Sequence, residues 1–130
     1  MSRFTRSFTA VIVAAGVLGG ATMAAAQDTW AQCEKEKGKK GTAGNAANGK
    51  KLADVNCVSC HGPSGKGDGP AAAALNPKPA DWTSSKVQSE GDAVLFCKVS
   101  NGRGPMPPWK HLPEKDRWDL ISYVKSLGKK

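Results

Sequence analysis

The chain has little with which to build a metal cage: two histidines and four cysteines in 130 residues. A structural zinc site wants four ligands, usually as two pairs. Here one CxxC occurs, with no second CxxC and no HxxxH. Clear strand alternation is missing, as is any internal repeat. The glycine-rich stretch 62–70 lacks two glycines four residues apart followed by Lys and Ser or Thr, which excludes a phosphate loop. Lysines lie among Gly and Ala without base-stacking aromatics, so no nucleic-acid motif is present. Acidic residues are in the minority, 11 against 19 Lys and Arg. The resulting net charge of +8 suits acidic partners or anionic surfaces and decides little about fold.

Long apolar runs are also absent, apart from one at the start. Arg3 and Arg6 precede "AVIVAAGVLGGA" at 10–21, and Ala24, Ala25 and Ala26 offer a small-residue cut site. That order predicts a cleaved Sec signal peptide over 1–26. An uncleaved anchor is disfavoured, since the stretch is short for a span of ~20 residues. Arg3 and Arg6 are not adjacent, so the signal is not of the twin-arginine kind and the chain crosses the membrane unfolded. The expected location is the periplasm, with no membrane span after cleavage. The mature chain, from Gln27, has a net charge of +6. Residues 27–44, dominated by Lys, Gly and Ala, read as a flexible N-terminal extension. Residues 45–130 form one small domain, of a size that often needs a disulfide, a metal or an apolar cofactor as reinforcement.

Asn45 can cap a first helix carrying Leu52 and Val55 on one face. Residues 62–70 are loop by composition, and residues 71–75 have room for one helical turn. Pro77 and Pro79 exclude helix interior. Ser89, with Asp92 three residues on, is a capping-box-like start for a second helix carrying Val94, Leu95 and Cys97, ending near Gly102. "GPMPPW" at 104–109 is extended loop. Pro113 opens the last helix, whose apolar stripe is Leu120, Ile121, Val124 and Leu127, with Gly128 able to end it. The expected fold class is all-α, with three main helices.

Cys57, Cys60 and His61 in "NCVSCHGPSG" allow three readings. As zinc ligands they are three crowded groups without a fourth. As a thioredoxin-like dithiol they lack flanking strands. As Cys-x-x-Cys-His they are the attachment signature of one c-type haem. Two thiols add across the vinyl groups of one porphyrin edge, and the next histidine becomes the proximal iron ligand.

The second ligand has two candidates in the mature chain, Met106 and His111. Met106 stands among Pro105, Pro107 and Pro108, which reduce the freedom the loop loses on coordination. Otherwise it is a loop packing residue; His111 reads better as a surface histidine. Met106 is therefore the expected distal ligand.

With these residues in place, the chain resembles a class I monohaem c-type cytochrome over about residues 45–128. Gly49, eight residues before Cys57, stands where that family lets its first and last helices cross closely. "DLISYVKSL" at 119–127 resembles its last helix, with Tyr123 as the crossing aromatic. "CHGPSGKGDGPAAAALNPKPADWT" resembles a bacterial subset. The resemblance implies helices wrapped around one haem, with the terminal helices crossing. Two departures stand out. Ala53 occupies the place of the family's usual first-helix aromatic. The proline whose carbonyl holds the proximal histidine is either Pro70 or Pro79.

Cys33 and Cys97 remain. In an oxidising compartment two spare cysteines usually pair; the alternative is a buried Cys97 and a free Cys33. The sequence before Cys33 is not a lipobox. The functional expectation is a monomeric, non-enzymatic electron carrier. Arg103, Lys66 and Lys110 would steer it to redox partner proteins with acidic docking surfaces. A haem subunit of a periplasmic dehydrogenase or reductase is one alternative. An open-site sensor or peroxidase is another, if Met106 does not ligate. Trp82, Trp109 and Trp118 would line the haem or pack the core, and Trp30 lies outside the resemblance.

Overall fold

The computed structural model describes residues 29–129. The leader expected over 1–26 and its cut lie outside the described residues. Among the described residues five α-helices follow in order: α1 (Ala46–Asn56), α2 (Val58–His61), α3 (Ser85–Ser89), α4 (Asp92–Asn101) and α5 (Glu114–Ser126). Short 3-10 turns occupy Ala31–Glu36 and Ala72–Ala74. No strand occurs among the described residues, which agrees with the all-α expectation; α1, α4 and α5 are the long helices.

The helix starts follow their caps. The Asn45 side chain accepts from the backbone N–H groups of Ala47 and Asn48, satisfying two orphan donors of α1. The expected start at Ser89 is replaced by two elements. Ser84 caps α3 by accepting from the Val87 N–H, and the Ser89 hydroxyl donates back to the Lys86 carbonyl. Glu90 and Gly91 are extended, so α4 begins at Asp92 without a side-chain cap. Pro113 sits at the N-cap of α5, one place before the first helical residue.

The frame is the crossing of α1 over α5. Gly49 permits it: a Cβ there would lie 1.9 Å from the Asp119 carbonyl oxygen and 2.9 Å from the Tyr123 Cβ. Asp119, 1% exposed, fastens the crossing. Its carboxylate accepts from the Asn45 N–H at 2.7 Å, the Asn48 amide at 2.8 Å and the Lys115 ammonium at 2.7 Å. Burial pushes its pKa up, but these bonds outweigh burial and hold it below the ordinary value.

The core lies between α5 and the other elements. Val87, Ala93, Leu95, Trp118, Ile121 and Val124 form one cluster; Ala53, Leu120 and Tyr123 form another, joined through Trp82. Phe96 stacks on Trp118 with centroids 4.0 Å apart. Complete burial of each large aliphatic is worth about 2 kcal/mol. Gln88 bridges α3 to α5 by donating to the carbonyls of Trp82 and Val124, at 2.6 and 2.9 Å.

The segment expected to be a flexible extension is fastened at several points. Its 3-10 turn packs on α4. The sulfurs of Cys33 and Cys97 lie 2.00 Å apart, with Cα atoms at 5.5 Å. Gly44 donates to the Ser122 hydroxyl at 2.9 Å and lies so close to α5 that a Cβ would meet the Trp118 carbonyl at 2.4 Å.

Candidate functional site

Cys57 ends α1 and starts α2, and its carbonyl accepts from the His61 N–H at 2.9 Å. Residues three and four apart share one helical face. Both thiols and the imidazole accordingly line one cavity of about 480 Å³.

The glycine-rich loop completes the end of this helical turn. Its N–H groups reach the carbonyls α2 leaves open: Gly62 to Val58 at 2.9 Å, Gly67 to His61 at 2.9 Å, and Gly69 to Cys60 at 3.1 Å. Gly67 has φ of 75°, and a Cβ there would meet the Pro79 carbonyl at 2.4 Å.

His61 is oriented by a group the sequence did not single out. Its Nδ1 lies 3.1 Å from the Ala80 carbonyl oxygen. This corrects the expectation that Pro70 or Pro79 supplies that carbonyl. Gly67 packs against the Pro79 carbonyl, and the chain presents the next one to the imidazole. A carbonyl only accepts, so Nδ1 carries the proton and Nε2 keeps its lone pair for a metal. Trp82 stacks on the ring with centroids 4.4 Å apart, and its backbone N–H donates to the Gly65 carbonyl at 2.7 Å. Burial lowers the His61 pKa, opposed by the Ala80 bond, and so favours the neutral imidazole.

The Cys57 thiol is shifted in the direction opposite to that of a reactive dithiol. Cys57 and Cys60 are unpaired, and burial, with Cys60 adding to it, pushes Cys57 up to about 11. Reactive dithiols have depressed values.

Met106 reaches the same cavity from the loop after α4. Met106 and Arg103 exchange two backbone hydrogen bonds, at 2.9 and 3.0 Å, closing a tight turn. Gly102, with φ of 61°, leads into it; a Cβ there would sit 2.4 Å from the Met106 carbonyl oxygen. His111 is exposed, lies 5.3 Å from the Trp109 ring, and is not on the cavity wall. Trp82 and Trp109 line the cavity, whereas Trp118 packs against Phe96.

Two further features lay outside the expected site. Trp30, from the N-terminal segment, is on the cavity wall. Lys78 and Lys86 are exposed and line the cavity, whereas Lys66 and Lys110 do not; Arg103 lines it but packs over the Trp30 ring at 4.0 Å.

The donor set fits an iron porphyrin. Two free thiols, one imidazole with a fixed tautomer and one thioether share a cavity walled by Leu75, Val87, Leu95, Val99, Ile121 and Val124. No group of three or more His, Cys, Asp or Glu suited to a bare metal ion occurs among the described residues. Such an arrangement can hold a flat apolar group covalently along one edge and supply two ligands to its metal.

The family model described as cytochrome c matches residues 46–128. The chain is similar to cytochrome c-554(547) of Halothiobacillus neapolitanus, at 35% identity over 65% of this chain and 99% of that protein. It is also similar to the Cbb3-type cytochrome c oxidase subunit CcoP of Azospirillum sp. (strain B510), at 40% identity over 70% of this chain. The match spans only 31% of that subunit's length. Among solved structures, a chain of the Kuenenia stuttgartiensis reducing HAO-like protein complex Kustc0457/Kustc0458 superposes with a TM-score of 0.56 at 32% identity. That superposition covers 63% of this chain and 43% of the other.

Proposed function

The chain belongs to the cytochrome c family, as a class I c-type cytochrome with covalently attached haem c and a role in electron transfer, and from that premise we propose a periplasmic one-electron carrier with His61 and Met106 as its iron ligands. Cys57 and Cys60 hold the haem as thioethers. When bound, the haem supplies a one-electron ferric–ferrous couple. The chain's residues tune and protect that couple. Ala80 and Trp82 hold the His61 ring in one tautomer and one plane. The prolines flanking Met106 and the turn it closes with Arg103 limit its movement between oxidation states. The apolar wall keeps water away, and a thioether ligand further favours the reduced state. With both ligand positions filled by side chains, no place is left for substrate, which argues for a carrier and against an open-site sensor or peroxidase.

The observation carrying this reading is that Met106 and the Cys57, Cys60 and His61 turn line one cavity. Export is supported by the leader-like residues 1–26 and by Cys33 and Cys97 lying at disulfide distance. The test is a potentiometric titration of protein recovered from the periplasm. A reversible one-electron couple with no peroxidase turnover supports a carrier. Catalytic peroxide turnover by the pure protein would overturn it.

A second reading, a haem subunit within a larger enzyme, is favoured by the relatives named as an oxidase subunit and as part of a complex. It predicts co-purification with a larger protein at fixed ratio.

A further inference from the structure

Thr29 and Trp30 lie before the stretch matched by the family model, yet they contact the base of the Met106 turn. The Thr29 hydroxyl donates to the Gly102 carbonyl. The Trp30 indole N–H donates to the Lys98 carbonyl at 3.2 Å, near the end of α4. The face of that indole carries the Arg103 guanidinium at 4.0 Å and the Lys98 ammonium at 5.0 Å. Three residues on, Cys33 is fully buried against Cys97, and the Asn101 amide lies 3.1 Å from the Cys97 sulfur.

This matters because of how Met106 is held. Its turn makes both of its internal backbone bonds with Arg103. Whatever fixes Arg103 therefore fixes the Met106 backbone. Gly102 and Gly104, both at positive φ, flank Arg103. The prolines and these bonds stiffen the turn itself, and the indole, lying under Arg103 at the cavity wall, ties it to the rest of the fold.

We propose that Trp30 is a positioning residue for Met106: anchored by Cys33 and Cys97, the indole holds Arg103 and so keeps the Met106 turn against the cavity. The inference rests on Met106 being an iron ligand. Trp30 acts through Arg103 and does not itself bind the metal. Without the indole, the turn samples detached positions, and the iron opens transiently to external ligands.

The test compares wild type, Trp30→Ala and Trp30→Phe as haem-loaded proteins. Two signals are read: the weak long-wavelength sulfur-to-ferric-iron band, and the rate at which reduced protein binds carbon monoxide. Circular dichroism reports the fold. Loss of a cation–π strut of this kind predicts about tenfold faster carbon monoxide binding in Trp30→Ala, with a weakened band and unchanged helicity. Trp30→Phe, which keeps a ring under Arg103, should recover most of the difference. A Trp30→Ala protein that melts lower yet keeps the wild-type band and rate would overturn the inference, leaving Trp30 a packing residue. A wild type that lacks the band and binds carbon monoxide rapidly would remove Met106 as ligand, and the inference with it. If Trp30→Ala does not fold, reducing the Cys33–Cys97 pair in folded wild type releases the same anchor. A faster rate then supports the proposal, and an unchanged rate contradicts it.

Discussion

Gly49 and Asp119 touch backbone to backbone, with a Cβ on Gly49 falling 1.9 Å from the Asp119 carbonyl oxygen. That is far inside van der Waals contact, and the obstacle is main chain that cannot rotate away. Gly49→Ala must push α1 off α5. The expected cost is about 3 kcal/mol, the upper end for overpacking, read by urea unfolding followed by circular dichroism.

Asp119 makes the same crossing sensitive to acid. Its folded pKa is held below the ordinary 3.8. A depressed carboxylate contributes stability that is fully present above the unfolded value and lost as pH falls through the folded one. The wild-type advantage over Asp119→Asn should therefore shrink as unfolding is measured from pH 6 down to pH 3. Asp119→Ala, which leaves the Asn45 N–H and the Asn48 amide without their acceptor while the exposed Lys115 ammonium returns to water, should cost about 3 kcal/mol at neutral pH.

The pair Cys33 and Cys97 encloses 64 residues of sequence separation. Chain entropy predicts a stabilisation of about 4 kcal/mol for a loop of that length. Thiol alkylation of unfolded, unreduced protein should label neither cysteine, and the double Ala variant should unfold at a correspondingly lower urea concentration.

Charge steering should follow the cavity rim. Lys78 and Lys86 are exposed there, while Lys66 and Lys110 are off the cavity wall and Arg103 packs on Trp30. Lys78→Gln with Lys86→Gln should flatten the ionic-strength dependence of the electron-transfer rate with an acidic partner protein. The corresponding Lys66 and Lys110 variants should leave it nearly unchanged.

What the sequence made legible was local chemistry. The Asn45 cap, the stripe of α5 and the glycine at the helix crossing each rest on a residue type whose physical role changes little with context. Cys57, Cys60, His61 and Met106 could be gathered as one set because the Cys-x-x-Cys-His motif is contiguous and Met106 is the one methionine after residue 26, and the fold brings all four to one cavity. The Ala80 carbonyl was not legible, since a main-chain acceptor leaves no mark on residue identity. Ser89 misled because Ser84, five residues earlier, caps its own short helix. Trp30 was missed for a third reason: its contacts reach 68 residues along the chain to Lys98. The one hint was its place three residues before Cys33.

The most direct test of the account is the visible spectrum of the haem-loaded protein, oxidised and reduced, with carbon monoxide added to the reduced sample, for wild type and Met106→Ala. The account predicts a low-spin wild type with the long-wavelength sulfur-to-ferric-iron band and negligible carbon monoxide binding, and loss of the band with rapid binding in Met106→Ala. A wild type that binds carbon monoxide as fast as the variant, or a variant that keeps the band, would contradict it.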